Sequence, residues 1–264
     1  MATVRANGID IHYRIGGRGP RLLYISGSGG DLRNPRGLFD GPLPEHFEVL
    51  SYDQRGLGQT DKPDGDYTMA DYAADTDALL EALGWPPVPL MGVSFGGMVA
   101  QEFAIRYPAR VQSVVLACTS SGGRGRASYP LHELTDLEPD DRISRHLEAA
   151  DVRRDEAWRA ENPERWQRLL EIARGAVRPD RDLPGATKQL AARAKHDTWE
   201  RLAQIDLPVL VTGGEFDGIA PPENLKAIAS QIPNAELKMF GGGHLFLIQD
   251  KAAYPFIIDW LQRR

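Results

Sequence analysis

The sequence predicts an α/β protein, a sheet of alternating strands and helices interrupted by one long helical insertion. Short β-branched runs alternate with segments of helical spacing over residues 1–119 and again over 202–264. Between them, from Ser120 to Arg201, no strand pattern occurs; Arg, Glu and Asp are dense, with Leu and Trp at helical intervals. A length of 264 residues and 42% hydrophobic content suffice for one full core with an insertion. The predicted division is therefore a core of 1–119 and 202–264, with 120–201 inserted after the sixth strand.

Residues 3–5 and 9–15 flank Asn7-Gly8, whose tolerance of positive φ makes a tight hairpin. Residues 22–26 form a short apolar strand that ends in the glycine-rich run Ser26-Gly27-Ser28-Gly29-Gly30. A fourth strand, 47–53, leads into a loop from Asp53 to Thr60. Over 69–83 the spacing is helical, with Tyr72, Ala73, Thr76, Leu79, Leu80 and Leu83 near one face. Thr68 caps that helix, with Asp71 in the reciprocal position, and Gly84 closes it. Strand 88–93, helix 95–107 and strand 111–118 follow. After the insertion come strand 207–212, helix 222–231, strand 235–240 and helix 252–262.

The formal net charge of −6 gives no reason to expect nucleic acid or an anionic membrane as partner. A single cysteine, Cys118, excludes an intrachain disulfide. The first ten residues lack an apolar leader core, and no stretch approaches the roughly 18 apolar residues of a membrane span, so a cytoplasmic protein is expected. No His–carboxylate spacing suggests a metal and no P-loop is present. The glycine-rich segments 26–30 and 122–125 lack the strand–helix context of a dinucleotide site. No cofactor and no metal are expected.

Catalytic chemistry is signalled first by Gly92-Val93-Ser94-Phe95-Gly96, placed between a predicted strand and a predicted helix. A serine on so sharp a turn stands clear of the sheet, and its flanking glycines leave room for the strained backbone. A serine hydroxyl needs a base. Of six histidines, His12 and His46 lie away from the carboxyl edge of the sheet, and His132, His146 and His196 lie in the insertion. Only His244, in Gly241-Gly242-Gly243-His244, follows a strand at the edge where α/β sites form. Asp217, just past strand 207–212, is the candidate carboxylate, with Glu215 as the alternative; the strand ending at Cys118 is followed by Thr119, Ser120 and Ser121, with no acid. The tetrahedral intermediate needs oxyanion donors, assigned to the backbone N–H groups of Phe95 and Ser28.

With these residues placed, the chain resembles the α/β-hydrolase superfamily over nearly its whole length. Besides the serine motif, Asp53-Gln54-Arg55-Gly56-Leu57-Gly58-Gln59-Thr60 is similar to that family's DxRGxGxS/T loop, in which Asp53 and Arg55 brace neighbouring turns. Residues 207–221 and 241–246 resemble the segments that carry its acid and histidine. The resemblance implies a mostly parallel eight-stranded sheet with helices on both faces and a helical cap over 120–201. One departure is Ser26-Gly27, where members usually have His-Gly; that histidine braces the oxyanion loop, so the change bears on loop geometry and substrate. A narrower similarity is to small esterases and lactonases of the 3-oxoadipate enol-lactonase-like group and to methylesterases of polyketide tailoring.

The expected activity is hydrolysis of a small-molecule carboxylic ester or lactone by a monomer or homodimer, with Ser94, Asp217 and His244 as a triad. The candidate pocket residues are Ser26, Cys118, Tyr129, Leu131, His132, Trp158, Trp166 and Trp199. The same residues admit C–C bond hydrolysis of a dienoic ketone, perhydrolase or haloperoxidase side reactions, or a ligand-binding member of the fold without turnover.

Overall fold

A computed structural model of the chain describes residues 1–34, 37–176 and 183–264. Eight strands form one sheet: β1 Ala2–Ala6, β2 Ile9–Gly17, β3 Arg21–Ile25, β4 Glu48–Tyr52, β5 Val88–Val93, β6 Val111–Ala117, β7 Val209–Gly214 and β8 Ala235–Phe240. Their spatial order is β1-β2-β4-β3-β5-β6-β7-β8. β1–β2 and β2–β4 pair antiparallel, and every other pair is parallel. The hairpin forms at Asn7 (φ 47°) and Gly8 (φ 74°), as the dipeptide requires.

The helices among the described residues are α1 Leu43–His46, α2 Met69–Ala82, α3 Phe95–Arg106, α4 Pro139–Ala150, α5 Glu156–Glu161, α6 Pro163–Ala176, α7 Leu183–Ala194, α8 Pro222–Gln231, α9 Phe246–Gln249 and α10 Ala253–Gln262. Alternation along the strands sends neighbouring residues to opposite faces. Leu23 and Leu50 join a core with Tyr72, Leu79 and Phe103 of α2 and α3. Leu22 and Val49 join a second core with Leu43, Ile257 and Trp260 of α1 and α10. Helices therefore cover both faces of the sheet. α2 begins with the reciprocal cap: Thr68 Oγ1 accepts the Asp71 N–H at 3.2 Å and Asp71 Oδ2 accepts the Thr68 N–H at 2.8 Å.

β7 lies two residues further along than the spacing 207–212 suggests. Pro208 has no N–H to give the ladder, although its carbonyl accepts from Val114 at 2.9 Å. Pairing instead runs on through Gly213 and Gly214, opposite Met239 and Phe240. Between β6 and β7 the described residues hold α4 to α7, short 3-10 turns and one isolated bridge, Gly122 to Asp197. A satellite cluster of Leu131, Leu134, Ala149, Ala150 and Ile219 packs this segment onto the loop after β7. Among the described residues no helix is long and apolar enough to cross a membrane.

Candidate active site

Ser94 joins β5 to α3 with φ 56° and ψ −117°, a conformation unfavourable for a residue with a Cβ. Hydrogen bonds to its backbone hold it. Its N–H donates to Ala117 O at 2.8 Å, and its carbonyl accepts from Thr119 Oγ1 at 2.8 Å, from the Gly97 N–H at 2.9 Å and from the Met98 N–H at 3.3 Å. A Cβ on Gly92 would lie 2.3 Å from Gly96 O, and one on Gly96 would lie 2.1 Å from Ile25 O. Side chains at these positions would drive the elbow off the sheet.

Ser94 Oγ lies 3.0 Å from His244 Nε2, and His244 Nδ1 lies 2.7 Å from Asp217 Oδ2. Asp217 Oδ1 accepts the N–H groups of Ile219 and Ala220 at 2.8 and 3.0 Å. Those two donors fix the carboxylate, which accepts Nδ1–H and so leaves Nε2 as the lone pair facing the hydroxyl. Asp217 is buried; Glu215 is exposed, with its N–H bonded to Phe240 O. The His244 backbone is anchored from the insertion, its N–H donating to Ala150 O at 2.6 Å.

The oxyanion loop approaches closely: a Cβ on Gly27 would lie 3.4 Å from Ser94 Cβ. Within that loop the Gly29 N–H donates to Gln189 Oε1 at 2.9 Å and the Gly30 N–H to Gly27 O at 3.2 Å. Among the described residues the Ser28 N–H has no acceptor, and Phe95 opens α3, where N–H groups lack intrahelical partners. Where the family's histidine is replaced, Gln54 braces the loop, its Nε2 donating to Ser26 O at 2.9 Å. Next to it, Asp53 accepts the N–H groups of Leu32 and Gln59 at 2.7 and 2.8 Å. Burial raises the Asp53 pKa, against those two bonds. Arg55 forms a bidentate pair with Asp75 at 2.6 and 2.7 Å.

Cys118 is buried at φ 41°; its Sγ, an Asp217 oxygen and a His244 nitrogen lie within 4.8 Å of one another. Burial, and then the Asp217 charge, push its thiol well above the usual range, and the other two groups are engaged with each other, so this is a poor donor set for a metal ion. Tyr129 donates its N–H to Ile219 O at 2.8 Å, and Leu131 packs in the satellite cluster. His132 borders a cavity of about 90 Å³ with Met98, Pro130, Arg193 and His196. The three candidate tryptophans do not border that cavity. Arg165 stacks over Trp158 on α5 and Arg159 over Trp166 on α6. Trp199 packs on the main core and against Gly125.

Sequence reasoning passed over Gln54, Gln189 and Arg193. The last two lie at i and i+4 of α7 and are buried, with Gly185, Ala186 and Ala192 between and around them. Polar residues recurring at helical spacing among small ones were the available signal.

Residues 20–251 match the family model for the alpha/beta hydrolase fold. The chain belongs to the α/β-hydrolase family. It is 30% identical over 259 residues to a poly(3-hydroxyalkanoate) depolymerase of Ectopseudomonas oleovorans, covering 92% of this chain and 84% of that protein. To a proline iminopeptidase of Lactobacillus delbrueckii subsp. lactis it is 27% identical over 268 residues, covering 91% and 89%. Among solved structures, a hydrolase from Pseudomonas aeruginosa aligns with TM-score 0.74 at 29% identity, covering 96% of this chain and 94% of that one. The enol-lactonase from Burkholderia xenovorans aligns with TM-score 0.79 at 24% identity over 99% and 100%, a likeness of fold.

Proposed function

We propose that this α/β hydrolase cleaves a carboxylic ester or lactone of a small molecule through an acyl-enzyme on Ser94. The observation that carries the reading is the continuous line from Ser94 Oγ through both ring nitrogens of His244 to Asp217. In the first half-reaction His244 Nε2 takes the hydroxyl proton as Ser94 Oγ bonds to the carbonyl carbon. The N–H groups of Phe95 and Ser28 stabilise the oxyanion, and Asp217 stabilises the imidazolium. His244 then returns the proton to the leaving alkoxide as the C–O bond breaks. For a lactone the alcohol stays tethered to the acyl group. Water, deprotonated by the same imidazole, releases the acid and frees Ser94.

A peptidase reading is less well supported. A free α-amino group on the substrate calls for an acidic partner, whereas the buried acids nearby, Asp53 and Asp151, are already bonded to the chain, and the buried group with a free donor is the Arg193 cation. The test is labelling with a fluorophosphonate followed by turnover of p-nitrophenyl acetate, methyl esters, lactones and proline p-nitroanilide, with Ser94→Ala as control. Labelling at Ser94 and turnover of esters but not the anilide are expected. A folded protein that neither labels nor turns over any ester would refute the reading.

A further inference from the structure

The face that α7 turns toward the catalytic centre is polar and incompletely bonded. Gln189 and Arg193 are 1% and 4% exposed. Gln189 gives its Oε1 to the Gly29 N–H of the oxyanion loop, and its Nε2 has no partner. One turn later Arg193 donates Nη1–H to Tyr129 O at 2.7 Å, while its Nε–H has no acceptor. Among the described residues no carboxylate lies within salt-bridge range of Arg193. A buried cation without a counter-ion is destabilising, by several kcal/mol on general grounds.

The guanidinium lies within electrostatic reach of Asp217. It borders the cavity of about 90 Å³ with Met98, which stands one turn after Ser94 on α3. Tyr129, its one hydrogen-bond partner, bonds through its own N–H to Ile219, whose N–H in turn holds Asp217. Burial pulls the Arg193 pKa down to about 10, and the Asp217 charge opposes that shift, so the side chain stays charged at neutral pH. His196, across the same cavity, adds no charge there, because burial pushes its pKa down to about 4.

We infer that Arg193 is a specificity residue whose free donor receives an ionised carboxylate carried by the substrate. The substrate class is then an ester or lactone bearing a second, non-reacting carboxylate, such as a half-ester of a short dicarboxylic acid or a carboxy-substituted lactone. The inference rests on the ester-hydrolase reading above. The unpartnered Nε2 of Gln189, one turn nearer the oxyanion loop, is placed to donate to a polar oxygen between the reacting carbonyl and that carboxylate.

The test compares matched pairs. On the acyl side, mono-p-nitrophenyl glutarate is set against p-nitrophenyl butyrate. On the alcohol side, 4-acetoxybenzoate is set against 4-methylphenyl acetate. Each rate is normalised to sites titrated with fluorophosphonate. The wild type is expected to favour the carboxylate member of at least one pair by about 10–100-fold in kcat/KM, the range of one hydrogen-bonded charge pair. Arg193→Met should bring that ratio close to one, and Arg193→Lys should recover part of it. Because the readout is a ratio, loss of folded protein does not mimic the effect. Turnover of both members without preference overturns the carboxylate assignment and leaves the hydrolase reading standing, as does a preference that survives Arg193→Met. No turnover of any ester overturns the hydrolase reading itself. Should Arg193→Met fail to fold, Arg193→Gln takes its place, and a preference that survives it overturns the assignment in the same way.

Discussion

Gly96→Ala tests the steric account of the nucleophile directly. A Cβ at this position would lie 2.1 Å from Ile25 O and 2.6 Å from Ser26 O, both backbone atoms. A carbon–oxygen approach settles at about 3.3 Å, so either the end of β3 or the start of α3 must retreat by about 1 Å. The first movement carries the oxyanion loop away from Ser94. The second carries Ser94 away from His244, to which its hydroxyl now lies at 3.0 Å. A misplacement of 1 Å is worth about 100-fold in rate, and overpacking of this kind costs about 1–3 kcal/mol of stability. The assay is kcat for an aryl ester per titrated site, with urea unfolding measured in parallel. Gly175→Ala serves as control, since nothing lies within 4 Å of its added methyl; it should leave kcat alone and stabilise α6 by about 0.5–1 kcal/mol. Gly96→Ala with kcat within threefold of wild type and unchanged stability would show that the glycine is not there for space.

Asp217→Asn should lower kcat by about 10⁴-fold with little loss of stability. The Asn Oδ1 can keep the Ile219 and Ala220 amides while its NH₂ faces Nδ1, which forces the proton onto Nε2, toward Ser94; kcat within tenfold of wild type would count against the assigned roles. His196 has a folded pKa of about 4 against an ordinary 6.5, so only the unfolded chain takes up its proton between those values. Stability should therefore fall as pH drops from 6.5 toward 4, by about 2–3 kcal/mol at pH 4.5 from this group. Urea midpoints of His196→Gln should lack that part of the slope, with Glu102, Asp197 and Arg201 as the charged groups facing the ring. Arg55→Met leaves the buried Asp75 carboxylate with only Asn7 Nδ2, at 2.7 Å, and should cost about 3–5 kcal/mol by denaturant unfolding. Hydrogen exchange should find the His244 and Gly218 amides protected although both lie in loops, because Ala150 O and Ala149 O accept them at 2.6 and 2.9 Å. Exchange there as fast as at exposed Ser28 would contradict those bonds.

The features legible in the sequence are those fixed by local sterics or by period. Short apolar and β-branched runs bounded by turn residues located the eight strands, as a sheet buried on both faces demands, and the spacing of Tyr72, Leu79 and Leu80 marked α2 because these residues bury against the sheet. Ser94 stood out for the same reason, since Gly92 and Gly96 are needed where backbone atoms would otherwise meet a methyl group. The insertion was readable as helical but not in its orientation. Trp158 and Trp166 fit a pocket wall and an outer cap layer equally well by periodicity. In the fold each ring is covered by a guanidinium of the same segment, Arg165 over Trp158 and Arg159 over Trp166, a pairing that periodicity does not announce. Arg193 had the opposite fate. In a segment dense in arginine its one mark is the helical spacing from Gln189 among small residues, and that mark is weak because its burial depends on how α7 docks against Met98 and Tyr129.

The insertion is bonded to loops that carry candidate site residues. The carbonyls of Ala149 and Ala150, at the C-terminus of α4, accept the N–H groups of Gly218 and His244, one from the loop of the acid and one from the loop of the base. A Cβ on Gly243 would lie 2.1 Å from Ala150 O, so the base loop is pressed against that helix end. From the other side, Gln189 of α7 holds Gly29 of the oxyanion loop. Three of the four loops that compose the site are thus bonded to the insertion; the elbow, held by Ala117 and Thr119 of the core, is the exception. A segment bonded in this way cannot swing clear as a rigid lid without releasing the backbone of His244. This division of labour matches the strain it must support. Ser94, with its costly positive φ, is held from β6 and Thr119 of the core, and the loops of Asp217 and His244 are bonded to the insertion.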